Sequence, residues 1–349
     1  MLALSVIALI GSAALARAPE PFEVKPTAQT DAVASKGDAA DDPAVWVNPR
    51  DPAKSLVITT DKKAGLNVYG LDGKLIQSLP GGRPNNVDVR TGFATPGYFG
   101  GTVALVVASD RDGDVLRFWR VDEDALRLVP LPGTISPGVG EVYGVCLYRD
   151  PTDGRLYSFV SGKAGRVAQH RLGITPAGTV QGVFARAFEV GGQVEGLAAD
   201  DANGVLFVAE EGAALWKYPA GPREEVVREA IDLPAPRGHF TPDAEGVAIV
   251  PRGDGSGFVI LSSQGSSTFI VYDRRPPHRH LGTFRVGTGD GIDAVEETDG
   301  IEAVGVNLGP AFPKGVFIAQ DGKRPEDERQ NFKFVPWDAI EARLSPASR

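Results

Sequence analysis

Cysteine, methionine and histidine are nearly missing from this chain: one Cys, one Met and four His stand among 349 residues. A lone cysteine cannot form an intramolecular disulfide, so no disulfide framework holds the fold. Cys146 lies mid-strand in GVCLY, the ordinary place for a small buried hydrophobe. A cysteine phosphatase would want an Arg in the loop that follows, where Thr152 stands. Four histidines are too few for a zinc or dinuclear iron centre. His170, His278 and His280 fall in outer strands or loops, and His239, in RGHFTPD ahead of an acidic turn, is the one candidate to support a site. Basic charge is short as well. With 36 Lys and Arg against 45 Asp and Glu, the net charge of −9 argues against nucleic acid and anionic membranes as partners. No run after residue 20 is apolar enough to span a membrane. P-loop, G-x-S-x-G elbow and R-H-G-x-R-x-P motifs are all lacking.

What is abundant is turn chemistry, with 43 Gly and 27 Pro. The stretch EGLAADDANGVLFVAEEGAALWKY, Glu195 to Tyr218, reads as three consecutive antiparallel strands separated by glycine turns. The same grammar starts again at Asp41, Asn85, Glu141, Asp243 and Asp299, which makes six repeats roughly 45–56 residues apart. That period predicts an all-β fold, a six-bladed β-propeller of four-stranded antiparallel blades. Residues 19–349 then form a single domain. The polar segment PFEVKPTAQT is the candidate to complete the last blade and close the ring, and ARLSPASR reads as a frayed tail. Ahead of the domain, residues 1–18 form an apolar run ending in Ala16-Arg17-Ala18, the pattern of a cleaved signal peptide. The chain is therefore expected to be exported, to the periplasm or the medium, and, having no long open sheet edge, to be a monomer.

Antiparallel pairing places the end of each second strand beside the start of its first. One rim therefore collects Lys62 and Lys63, Arg111, Lys163, Glu211, Gln264 and Asp321 from second strands. From first strands it collects Asp41 and Asp42, Asn85 and Asn86, Tyr143, Glu195, Asp243, Glu245 and Asp299. Cations come from the first three repeats and carboxylates from the last three, while the opposite rim carries ordinary turns such as DDANG and RGDGSG. Wet loops explain polarity but not this sorting by sign. Clustered carboxylates without His or Cys suit a hard ion, Ca²⁺ before Mg²⁺. Such a cluster facing Lys and Arg is a device for holding phosphate, and it allows hydrolysis without a protein nucleophile.

The blocks DDPAVWVNP, ITTDKKAGLNVYGLDG, NNVDVR, EVYG, EGLAADD, AEEGA, SSQG, DGIEA and AQDG…NFKFVPWD resemble, in order and spacing, those of the β-propeller phytases, from about Asp41 to Trp337. The resemblance implies a calcium-dependent phosphomonoesterase acting on myo-inositol hexakisphosphate (phytate), with a cleavage site beside a second phosphate site. Carried over by motif, Asp42, Glu195, Glu211, Asp243, Glu245, Gln264 and Asp293 resemble metal ligands or their neighbours, with Asp41 beside them. Asp321 resembles a ligand of a tighter, structural calcium. Asp42, Pro43 and Val87 resemble the group around another ion, two of them through main-chain oxygens. Lys62, Lys63, Arg111, Tyr143 and Lys163 resemble the phosphate contacts. In the implied mechanism a water near Glu211, Asp42 and Asp293 attacks phosphorus while Lys62, Arg111 and Lys163 stabilise the developing charge. Two departures stand out. Gln29 and Asp31 replace a more acidic segment, and in GTGDGIDAVEETDG either Asp290 or Glu296 could take the part given to Asp293. A propeller lactonase would use the carboxylates without the cations, and a propeller that binds a phosphorylated polymer would keep the cations without needing a water-activating cluster. Ionised ligands and bound calcium imply activity near neutral pH, lost in acid.

Overall fold

A computed structural model describes residues 20–324 and 328–346, so the apolar leader read in residues 1–18 lies outside the described residues. The first blade shows why these residues form strands. Ala40–Trp46, Leu56–Asp61 and Gly65–Tyr69 are mostly apolar or β-branched, with Asp41, Asp42 and Asp61 at the ends that meet the rim, and are buried throughout, because both faces of a blade pack on neighbouring blades. The outermost strand, Leu75–Pro80, is mostly exposed. Four further four-stranded sheets and one sheet of five strands repeat this plan, and six blades close a ring. Between neighbouring blades lie separate apolar clusters. Ile58 and Val68 meet Val89 and Val106 at the first junction. At the last, Val45 and Val57 meet Ile318 and Phe334.

The N-terminal segment closes the ring in two places. Ala28–Gln29 pairs antiparallel with Asn331–Pro336 and supplies the fourth strand of the sixth blade, as the strand count implied. Phe22–Val24 adds a parallel fifth strand to the fifth blade, against His280–Val286, with Phe22 stacked on Phe284 at 5.8 Å. Three residues are too few to show a period, so this pairing has no signature in the chain. At the other end, the reading of ARLSPASR as frayed fails up to Ser345. A short helix, Trp337–Glu341, buries Trp337 and Ile340, Leu344 packs on the same cluster, and the Ser345 amide donates to the Leu281 carbonyl at 2.9 Å. No helix among the described residues is long and apolar enough to cross a membrane.

One irregularity recurs in the innermost strand of the blades and decides what happens at the channel mouth. Ala40 pairs with Asp61 and Pro43 with Thr59, so the first strand carries an extra residue. The same shift occurs at Pro84/Val87, Val142/Val145, Val194/Leu197 and Ala244/Val247. Such bulges re-aim side chains. The residue after the first bulged position is often Gly, and close approach requires it. A Cβ on Gly196 would meet the Glu245 carbonyl oxygen, and one on Gly300 would meet Asp41 and Asp42. The inner strands are thereby drawn together, with Gly246 N–H donating to Asp299 O at 2.8 Å and Gly300 N–H to Asp41 O at 3.0 Å.

Candidate active site

The bulges present Asp41, Asn85, Tyr143, Glu195 and Glu245 at equivalent places in five blades, and Asp299 stands in the same place in the sixth, just ahead of Ile301–Val304. Their side chains meet across the ring. The Asn85 amide donates to Glu195 at 2.8 Å, from the second blade to the fourth. Glu195, Glu211 and Glu245 bring carboxylate oxygens within 4.8 Å of one another. Gln264 donates to Asp299 at 2.6 Å. Lys62 Nζ lies 2.9 Å from Asp41, 3.2 Å from Asp299 and 2.6 Å from Asp38.

A second ring follows the ends of the second strands. The amides of Lys62, Arg111, Lys163, Glu211 and Gln264 donate to the carbonyls of Ala39, Arg83, Glu141, Gln193 and Asp243, at 2.7–3.1 Å. In the sixth blade the residue in this position is Gly322, whose amide donates to Glu296 O at 2.9 Å. Asp321, which the strand reading put on this ring, stands one residue earlier. Its carboxylate accepts the Glu296 amide at 3.2 Å and the Lys333 ammonium at 2.9 Å. Asp293 joins it there, 2.6 Å from Lys333 Nζ. The structure therefore brings together most of the predicted ligands and sets Asp293 and Asp321 apart as a pair.

The predicted phosphate contacts divide similarly. Lys163 lies over the Tyr143 ring at 5.2 Å and 2.9 Å from Glu141. The Lys163 ammonium, with a smaller pull from Arg111, holds the Glu141 carboxyl below its usual range. Arg111 Nε is buried without a hydrogen-bond partner. Tyr143 reaches Glu195, and burial together with that carboxylate keeps the phenol protonated. Lys63 turns outward, its ammonium on the Lys36 carbonyl at 2.6 Å. Below the mouth a cavity of about 570 Å³ runs into the channel. Asp42, Pro43 and Val87 line it, with the Val87 amide donating to Asp42 at 3.0 Å.

Charge is unbalanced at the mouth. Burial, and then the neighbouring acids, push Asp41, Glu195 and Asp299 up to about 7 each. Burial and neighbouring acids also raise Asp42 and Glu245 well above the ordinary carboxylate range, and Glu211 is raised by burial and by Asp243 and Asp299. Glu245 Oε2 and Asn85 Oδ1 are buried without hydrogen-bond partners. Against these carboxylates stands one inward ammonium, Lys62, with Lys163 at the edge. A donor set of oxygens with too little positive charge fits a hard divalent cation. Burial raises Asp321 too, against the pull of Lys333, whereas Lys333 holds Asp293 low despite its burial.

A family model described as Phytase matches residues 1–348. A curated 3-phytase of Bacillus subtilis (strain 168) is 38% identical over 351 residues, covering 98% of this chain and 91% of the relative. The chain belongs to the phytase family. As a phytase-family enzyme it is a phosphoric monoester hydrolase. A solved protein structure from Lactobacillus plantarum shares 14% identity over 90% of this chain and 85% of its own, with a TM-score of 0.51, a likeness of fold alone.

Several members of this phytase site escaped the sequence. Asp38, Glu141 and Gln193 sit in the loops before the first strands and hold Lys62, Lys163 and Glu211, the last by a 2.8 Å bond from Gln193 Nε2. Their signal was position: each lies just ahead of a bulged strand. Asp299 was on the rim but was not given a ligand's part. His239 does not support the site, because its ring is engaged by Asp232 at 3.1 Å and stacked on His280. Cys146 is buried, and its burial pushes the thiol up, as a structural residue requires.

Proposed function

We propose that this enzyme is a calcium-dependent phytase, which releases phosphate from myo-inositol hexakisphosphate by attack of water on phosphorus. The observation that carries the reading is the juxtaposition at one mouth of a carboxylate cluster short of positive charge with Lys62, Arg111 and Lys163. A name shared with a 38% identical 3-phytase supports the substrate. Glu195, Glu211, Glu245, Asp41 and Asp299, with Asp243 and Gln264 beside them, are the residues suited to hold calcium at the mouth, and Asp42, with the main chain of Pro43 and Val87, in the channel. When bound, calcium supplies charge that neutralises phosphoryl oxygens and acidifies water.

The chain's own groups do the rest. Gln193 and the second-strand end fix Glu211 at the edge of the cluster, where it orients the attacking water and takes up its proton. Arg111 and Lys163 hold the phosphoryl oxygens, Lys163 after giving up Glu141, and Lys62 would be free to turn from Asp41 and Asp299 to the phosphate if those acids held calcium. Charge that builds on phosphorus in the transition state is met by fixed cations. Tyr143, kept protonated, donates a hydrogen bond. Asp293 is left out of the water-orienting set, because Lys333 occupies its carboxylate. A lactonase would have no task for Arg111 and Lys163.

The test is phosphate release from phytate at neutral pH, first with calcium, then with excess EGTA, then with calcium restored. Loss and recovery are expected. Release from Glu211→Gln equal to wild type would overturn the role of Glu211. Export and a monomeric state belong to the same proposal, and N-terminal sequencing of protein outside the cytoplasm checks the first.

A further inference from the structure

The resemblance gives Asp321 to a structural calcium and Asp293 to a metal at the mouth, but neither residue is short of a cation. Lys333 is fully buried, and its ammonium reaches Asp293 Oδ1 at 2.6 Å, Asp321 Oδ2 at 2.9 Å and Asn331 Oδ1 at 2.9 Å. An ammonium has three donors, and three oxygens take them. Arg324 Nε lies 3.8 Å from Asp293 Oδ2, and Lys323 lies 3.9 Å from Glu296 and 3.7 Å from Glu297 on the adjoining loop. Two carboxylates thus face an ammonium and a guanidinium, and a divalent ion would enter a place where charge is already balanced.

The other blades show that this arrangement is a device of the fold. Asp110, Glu210 and Asp321 each end a second strand, and each accepts an amide from the loop entering its blade: Arg83, Gly192 and Glu296. Each also meets a side chain from one third-strand position. Arg117 forms an ion pair with Asp110, Trp216 Nε1 donates to Glu210 at 2.7 Å, and Lys333 donates to Asp321. These three partners hold the same register, opposite Ala108, Val208 and Ala319, two residues before the acid in each case. Asp321 is the sixth blade's version of a loop anchor. What it anchors bears on the site: the Gly322 amide donates to Glu296 O at 2.9 Å, and the Asp299 amide donates to Gln320 Oε1 at 2.9 Å.

We propose that Asp293, Asp321 and Lys333 form a metal-free ion-pair hub, in which the lysine ammonium stands where the resemblance expects calcium. The hub fixes the loop that carries Asp299 to the mouth without drawing on the metal. Calcium counting by native mass spectrometry on the full chain tests this, with wild type, Asp293→Asn, Asp321→Asn and Glu245→Gln, alongside thermal midpoints in calcium and in excess EGTA. Asp293→Asn and Asp321→Asn are expected to keep the wild-type count and to lower the midpoint equally in both buffers, while Glu245→Gln loses at least one ion. Loss of an ion from Asp293→Asn, or a deficit that vanishes in EGTA, would overturn the hub. Asp293 is 36% exposed, so its variant decides even where Asp321→Asn fails to fold. A wild type holding no calcium would sink the calcium reading of the mouth and leave the hub standing, so the two failures are told apart.

Discussion

The channel mouth and the sixth blade each gather acids, and they differ in what answers them. At the mouth Asp41, Glu195, Glu211, Glu245 and Asp299 crowd one inward lysine, Asp41, Glu195 and Asp299 are pushed up to about 7, and Glu245 keeps an unbonded oxygen. Around Lys333 two carboxylates meet their cations at hydrogen-bond or ion-pair distance. Acidity alone therefore does not mark a metal site. The shortfall of positive charge does.

The largest effect that would break this contrast is on turnover. Glu211→Gln is expected to lower kcat on phytate by about 10²–10³-fold, the scale of losing a group that acts on the transition state, with little change in thermal midpoint. Equal losses in turnover and stability would make Glu211 an architectural residue like Asp321. Next comes Lys333→Met, which turns the filled cluster into a starved one. Removing one partner of a buried pair costs about 3–5 kcal/mol. Thermal melts in EGTA should show that loss, and calcium should restore part of it, because the vacated acids then resemble those at the mouth.

The pH dependence of stability sharpens the contrast further. Carboxyls raised to about 7 bind protons in the folded chain that the unfolded chain has already released, so between the ordinary carboxylate range and about 7 folding is favoured by protons. In EGTA the midpoint should fall as pH rises across that window. With calcium it should rise, since the ion binds the ionised form. A midpoint that rises with pH in both buffers would mean that the mouth is not starved. The smallest effect concerns Glu141, more than half exposed, which pairs with Lys163. Glu141→Gln should lower KM for phytate a few-fold and leave kcat nearly unchanged, as steady-state kinetics beside Glu189→Gln, a distant loss of the same charge, would show.

Much of this was legible in the chain. Glycine turns between β-branched runs predicted six blades, and antiparallel geometry alone brought Lys62, Arg111, Lys163, Glu195, Glu211 and Glu245 to one rim. What stayed hidden depends on register and distance. The last residue of a second strand leaves no mark in composition, so Asp321 was read one place out of position. The partner that decides the character of Asp293 is 40 residues further along, and no spacing rule connects them. Lys333 itself, in NFKFVP, reads as an ordinary strand residue until the register shows that it is buried opposite Ala319.

The seam of the ring has a consequence for how the molecule comes to be folded. Ala28 pairs with Phe334, so a strand near the start of the described residues waits for one near their end. Four blades are contiguous in sequence and need only near neighbours, but the fifth and sixth are finished by a strap from the opposite end of the chain. Pairings of such long separation are slow to form. Until that strap is seated, His280–Val286 and Asn331–Pro336 are open edges able to accept a strand from another molecule. A cut between Gln29 and Ala40 would leave every strand of the first and sixth blades in the chain while severing the one covalent tie that runs across the seam between them.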